Sequence, residues 1–168
     1  MGDWLLREAG EADAGTLAAV IRAAFEEYRG RLDPPSGALA ETADTVREKM
    51  RAAQAVLAFA GEVPVGCVFF RPEEGRLYLF RLAVLPGHRG RGLGRALLAH
   101  AEGRARELGL PRVRLGVRTA LPRQIAFYEG LGYRRVGDGT HPGYAGPTYL
   151  LLERATRMAG GEGPAPLS

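Results

Sequence analysis

Cysteine is almost missing from this 168-residue chain. Cys67 stands alone, which excludes an internal disulfide framework and argues against a cysteine-rich zinc site. No apolar run approaches the roughly 20 residues that a membrane span needs. The opening residues Met1-Gly2-Asp3-Trp4 lack the basic-then-apolar layout of a secretion signal. The expectation is a soluble cytoplasmic protein with no membrane partner. Asparagine is absent, and lysine occurs once, at Lys49, against 22 arginines. That bias fits a bacterial, GC-rich genome. The shortage of amides is in keeping with a thermophile, although thermophiles also tend to gain lysine. No group of His, Cys, Asp and Glu has metal-ligand spacing, so no metal is expected.

What is present is enough for one ordinary domain. At 46% hydrophobic, the chain can bury a sizeable core, and disorder is excluded. The net charge of +4 is unevenly spread: residues 1–70 carry −4, residues 71–135 carry +9 and residues 136–168 carry −1. A segment at +9 points to an anionic partner, either a phosphorylated small molecule or nucleic acid, or else to a solvated arginine-rich face. The nucleic-acid reading lacks a binding motif and lacks aromatic–basic interleaving on a sheet face.

The periodicity predicts a strand over 3–8 and a helix from Asp13 to Tyr28. In that helix Leu17, Val20, Ile21, Ala24, Phe25 and Tyr28 share one apolar face, and Asp13 is positioned to cap the first amides. A second helix is expected over 41–52, with Val46 and Met50 inward. Strands over 54–60 and 63–71 are joined at Gly61-Glu62, a type II′ hairpin signal. The strand 76–84 is apolar on both faces, with Tyr78, Phe80, Leu82 and Val84 on one and Leu77, Leu79 and Ala83 on the other. A helix over 92–108 places Leu97, Leu98, Ala101, Ala105 and Leu108 in register. A strand over 112–117, a helix over 122–129 and two strands over 133–136 and 148–153 follow. Residues 1–157 read as one domain, and 158–168 as a flexible Gly/Pro-rich tail. The order is β-α-α-β-β-β-α-β-α-β-β, a mixed α/β domain.

The stretch from Leu82 to Arg95 carries the most chemistry. A buried strand runs into a loop with glycine at 87, 90, 92 and 94, and then into a helix. Free amides at a helix N-terminus favour an anion, and glycine lets a phosphate approach the backbone. Arg89, Arg91 and Arg95 add charge, so a pyrophosphate is the natural guest. A Walker A loop fails because Leu93-Gly94 follow Gly92 where Lys-Ser/Thr is required. A dinucleotide fingerprint fails because Arg95 stands where its third glycine belongs.

Arg89-Gly90-Arg91-Gly92-Leu93-Gly94, after a strand ending Leu-Ala-Val-Leu-Pro, resembles the R-x-x-G-x-G motif of the GCN5-related N-acetyltransferase (GNAT) family. The segment Ala126-Phe127-Tyr128-Glu129-Gly130-Leu131-Gly132-Tyr133 resembles the family's later motif, and the element order over about residues 3–155 is the family's order. The resemblance implies a mixed, mostly antiparallel sheet of about six to seven strands flanked by about four helices. It implies acetyl-coenzyme A as cosubstrate. Backbone groups of Leu82, Ala83 and Val84 would hold the pantetheine arm, and the amides of Arg89, Gly90, Arg91, Gly92, Leu93, Gly94 and Arg95 the pyrophosphate. Tyr128 matches the tyrosine that protonates the departing thiolate, a task open to a phenol of pKa about 10. The chain departs from the pattern at Leu121, where the family has asparagine. It also departs at Gln124, where the family has a small residue; from there the glutamine could take over the missing contact.

The implied activity is direct acetyl transfer to a primary amine of a small molecule or peptide. The alternative is a GNAT-like domain that binds a coenzyme A derivative without transfer. Such family members are often dimers, so a homodimer is a possible state. The strand 76–84 holds no carboxylate to act as base, which leaves Glu26, Glu27, Asp33, Glu41, His88 and His141 open. Cys67, on an apolar strand, reads as a core residue.

Overall fold

Periodicity of 3.6 and of 2 alternates along the chain, and the computed structural model, described over residues 3–156, turns it into four helices and seven strands. The order is β1 (Trp4–Glu8), α1 (Ala14–Phe25), α2 (Ala43–Met50), β2 (Gln54–Ala60), β3 (Val63–Glu73), β4 (Arg76–Val84), α3 (Leu93–Glu107), β5 (Arg112–Arg118), α4 (Pro122–Gly130), β6 (Arg134–Gly139) and β7 (Tyr149–Ala155). The strands order as β1-β2-β3-β4-β5-β7-β6 in a mixed, mostly antiparallel sheet. The expected tail, 158–168, lies outside the described residues. No described helix is long and apolar enough to cross a membrane.

The chain divides into two compact units. One runs to Arg71 and resumes over Phe80–Ala101; the other takes Pro72–Leu79 and the chain from Glu102 onward. In the first, β1–β2 and β2–β3 are antiparallel. Gly61 takes φ +63 at the hairpin, as the first position of a II′ turn requires. The apolar stripe of α1 (Leu17, Ala18, Val20, Ile21, Ala24) packs with Val46 of α2 onto Ala55, Leu57, Cys67 and Phe69. Burial pushes the Cys67 thiol up to about 12, so it is an inert core residue.

Two local expectations change in this unit. The Asp13 carboxylate does not cap α1; it turns back to accept from the Gly10 amide (2.8 Å) and from Arg7 (3.0 and 3.2 Å). The second helix starts later than predicted, at Ala43, because Thr42 caps it through the Thr45 amide. Glu41 is therefore left outside the helix.

The larger correction concerns β4. Strict alternation separates Phe80 from Ala83, yet both pack against the same cluster beneath α1. The intervening Arg81 has φ +54, and among the described residues no other non-glycine has positive φ. One left-handed residue slips the alternation by one position and hands the face from even to odd residues.

Beyond that slip, β3 and the start of α3 meet very closely at Gly66. A β-carbon there would lie 2.9 Å from the Ala83 carbonyl oxygen and 3.2–3.3 Å from Leu93 and Leu97. Gly66→Ala is expected to cost about 1–3 kcal/mol, as overpacking does; denaturant unfolding of the two proteins measures it.

In the second unit, Leu77–Leu79 of β4 pair in parallel with Val113–Leu115 of β5. β5 and β6 each pair antiparallel with β7. Leu77, Leu79, Val113, Leu115, Val117, Leu150 and Leu152 form its buried apolar face. Leu108 is 44% exposed, outside the apolar register expected for α3, because the helix ends at Glu107 and Gly109 (φ +72) turns the chain away.

Candidate functional site

The loop between β4 and α3 lies in the first unit, contiguous with the strand end that precedes it. Gly90 and Gly92 take φ +76 and +91, a region glycine enters freely. A β-carbon on either would meet nothing within 4 Å, so their faces are open. The loop's twist leaves the amides of residues 90–95 without an acceptor among the described residues, and the first helical bond runs from Ala96 N to Gly92 O (3.0 Å). These amides lie at and just before the positive end of a 15-residue helix. Arg91 and Arg95 are exposed and have no carboxylate partner among the described residues. These features fit a pyrophosphate: the donors have no acceptor among the described residues, the charge of Arg91 and Arg95 is complementary, and the backbone is open at Gly90 and Gly92.

Other residues expected here have different duties. The Arg89 side chain does not face the cradle. Its Nη1 pairs with Glu27, its Nη2 donates to the Ala24 carbonyl (2.8 Å) and its Nε to the Val84 carbonyl (2.9 Å). Arg89 therefore ties the end of α1 to the end of β4, and its amide, expected on the pyrophosphate, donates instead to the Pro86 carbonyl (3.3 Å). The Nε bond occupies the Val84 carbonyl. Leu93 is buried, so it has only an amide to offer. Leu82 and Val84 are half-buried and Ala83 is buried.

Among the six candidate bases, three carboxylates carry arginine partners. Glu26 accepts from Arg29 at 2.7 Å, a bond that holds its carboxyl below the usual range. Glu27 is the partner of Arg89. Glu41, 1% exposed, accepts from Arg81 Nε (2.7 Å), Lys49 Nζ (3.1 Å) and Thr45 Oγ1 (2.5 Å). Burial pushes its carboxyl up, but the bonds from Thr45, Arg81 and Lys49 outweigh that and hold it below the ordinary range. Asp33 is an exposed loop residue preceding a cis proline. His88 is half-buried, with its Nδ1 buried and unpartnered.

Tyr128 and His141 lie in the second unit. Tyr128 sits half-buried on α4, its ring edge-to-face with Phe127 (5.2 Å) and Tyr133 (5.9 Å). The neighbouring Tyr133 is 2% exposed and donates to Glu102 at 2.7 Å; burial first, then Glu102, pushes its phenol far above the ordinary range. Leu121 occupies the N-cap position of α4 and makes no side-chain cap. His141 Nδ1 lies 2.5 Å from Thr148 Oγ1, and its ring stands edge-on to Tyr149. No group of His, Cys, Asp and Glu among the described residues could hold a metal ion.

Sequence reasoning overlooked Arg81, Lys49 and Thr148. The signal for Arg81 was available: it is the one charge between Leu77 and Val84 of an otherwise apolar strand, and a charge there needs a partner.

Comparison with known proteins supplies the family. The profile of the Acetyltransferase (GNAT) family matches residues 17–133. Streptothricin acetyltransferase of Streptomyces lavendulae is 33% identical over 108 residues, 64% of this chain and 54% of the relative. The chain thus spans about half the length of that curated relative. An acetyltransferase structure from Thermus thermophilus superposes with a TM-score of 0.70 at 28% identity, covering 90% of this chain and 96% of the other. The PaiA N-acetyltransferase of Thermoplasma acidophilum, solved with coenzyme A, shares the fold with a TM-score of 0.72 at 21% identity, covering 91% and 99%. With its strand–loop–helix cradle and seven-stranded sheet inside those matches, the chain belongs to the acetyltransferase (GNAT) family.

Proposed function

We propose that this protein is an acetyl-coenzyme A-dependent N-acetyltransferase that moves an acetyl group directly to a primary amine of a small molecule. The row of amides over residues 90–95, with no acceptor among the described residues, carries the reading, since donors at a helix N-terminus suit a pyrophosphate. Acetyl-coenzyme A would supply the acetyl group as a thioester. Arg91 and Arg95 would hold its phosphates, and backbone groups of Leu82–Val84, other than the Val84 carbonyl that Arg89 occupies, its pantetheine arm. With both substrates bound together, orientation lowers the barrier and no covalent enzyme intermediate is needed. Tyr128 would hold the proton that the departing thiolate takes.

The likeness to streptothricin acetyltransferase supports a small-molecule acceptor over a peptide. For the proton leaving the amine, the carboxylates tied to arginine are poor acceptors. His141 suits the task better: Thr148 orients its Nδ1, and its other nitrogen has no partner among the described residues.

Calorimetric titration with acetyl-coenzyme A is expected to show 1:1 binding at sub-millimolar concentration, and its absence overturns the proposal. The pairing of Glu26, Glu27 and Glu41 with basic residues favours one rival, a coenzyme A-binding module without transfer. A thiol-release assay across a broad amine panel separates the two, because only the enzyme releases coenzyme A faster with an amine present.

A further inference from the structure

The left-handed residue of β4 is an arginine where glycine would be at ease. Its backbone is held from both sides. The guanidinium Nε donates to Glu41 at 2.7 Å, and the carbonyl accepts from the Cys67 thiol at 3.6 Å. Glu41 is itself fixed at several points: Thr45 and Lys49 bind its carboxylate, and Arg22 donates to its carbonyl at 2.7 Å. Arg81 Nη2 also closes on Gly37, where a β-carbon would stand 3.1 Å away. Glu41 thus links α1, through its carbonyl, and α2, through its carboxylate, to one guanidinium that also abuts the turn at Gly37. Strained backbone persists where its surroundings over-determine it, and such residues cluster at working sites. Arg81 directly precedes Leu82–Val84, and the slip it imposes decides which way their amides and carbonyls point.

We infer that Arg81 and Glu41 form a positioning clamp: the ion pair holds the left-handed turn in β4 and so aims the backbone groups of Leu82–Val84 at the acyl-bearing end of the cosubstrate. Glu41 on this reading is a structural anion and not the proton acceptor. The inference rests on the proposed acetyl-coenzyme A site.

Four full-length variants test it: Arg81→Ala, Arg81→Gly, Glu41→Gln, and Arg81→Gly combined with Glu41→Gln. Each is titrated with acetyl-coenzyme A and followed by the amide resonances of residues 82–84 and 90–95, beside steady-state kinetics and thermal unfolding. Alanine loses the clamp and resists positive φ. Its kcat/KM for acetyl-coenzyme A is expected to fall at least tenfold, with residues 90–95 still shifting on titration and 82–84 no longer doing so. Glycine keeps the turn but leaves the buried carboxylate with Thr45 and Lys49 alone. Adding Glu41→Gln is expected to restore kcat/KM to within about threefold of wild type. Glu41→Gln alone is expected to lower kcat/KM and leave its pH profile in place.

Two outcomes overturn the clamp. One is that Arg81→Ala lowers only the unfolding temperature while resonances 82–84 respond as in wild type. The other is that Glu41→Gln erases the acidic limb of the pH profile, as loss of the general base does. Wild-type protein that shows no shift at 90–95 overturns the acetyl-coenzyme A site itself, a failure distinct from either.

Discussion

Replacing Gly92 with valine is expected to weaken acetyl-coenzyme A binding at least 100-fold while the protein stays folded. Gly92 sits at φ +91, where a branched side chain is strongly disfavoured. The left-handed region costs an L-residue roughly 1–2 kcal/mol. No protein atom lies within 4 Å of the added β-carbon, so no clash in the core accompanies that cost. The loop instead relaxes toward negative φ, which re-aims the amides beside residue 92. A 100-fold loss corresponds to about 2.7 kcal/mol, the scale of two or so charge-assisted hydrogen bonds. Gly87→Ala is the matched control, because Gly87 is equally open and lacks a positive φ. Calorimetry should find it within about threefold of wild type. A Gly92→Val protein that binds normally removes the cradle from the cosubstrate site.

The second large effect falls on turnover alone. Tyr128→Phe is expected to lower kcat by about 100-fold, at the lower end of what a general acid supplies, while acetyl-coenzyme A affinity changes less than about threefold. The ring contacts with Phe127 and Tyr133 involve the face and edge of the ring, so phenylalanine preserves the packing. Tyr133→Phe gives the opposite signature. It removes a buried hydroxyl bonded to Glu102 and is expected to lower the unfolding temperature with little change in kcat. Single-turnover kinetics with saturating acetyl-coenzyme A distinguish the two. Equal kcat in wild type and Tyr128→Phe excludes the phenol as the proton donor.

How far these positions could be read from sequence depended on the range of the forces involved. Helices, strands and hairpin follow local periodicity and turn chemistry, and Gly90 and Gly92 mark the loop's positive dihedrals through residue type. What escaped was long-range. Asp13 has the composition of a cap, but Arg7 competes for it across the first turn. Arg89 reads as a phosphate ligand until folding brings Glu27, 62 residues earlier in the chain, against it. The slip at Arg81 leaves no trace in the alternation, because Leu82, Ala83 and Val84 are apolar whichever face they take. Glu41 stands at the start of the helix expected over 41–52 and among the open bases, and its burial under Arg81 depends on a contact 40 residues away.

The pairing of Lys49 with Glu41 bears on how cleanly the protein can be assayed. An enzyme that acetylates amines is a potential substrate of its own chemistry, and most proteins present many lysines to an activated thioester. This chain presents one, 33% exposed and pinned to a buried carboxylate; the 22 arginines carry guanidinium groups, poor nucleophiles toward an acyl donor. Self-acetylation of side chains has almost nowhere to occur. Acetylation found on a side chain of a mixed protein sample therefore points to the added acceptor before the catalyst, and arginine in place of lysine doubles as a safeguard against self-modification.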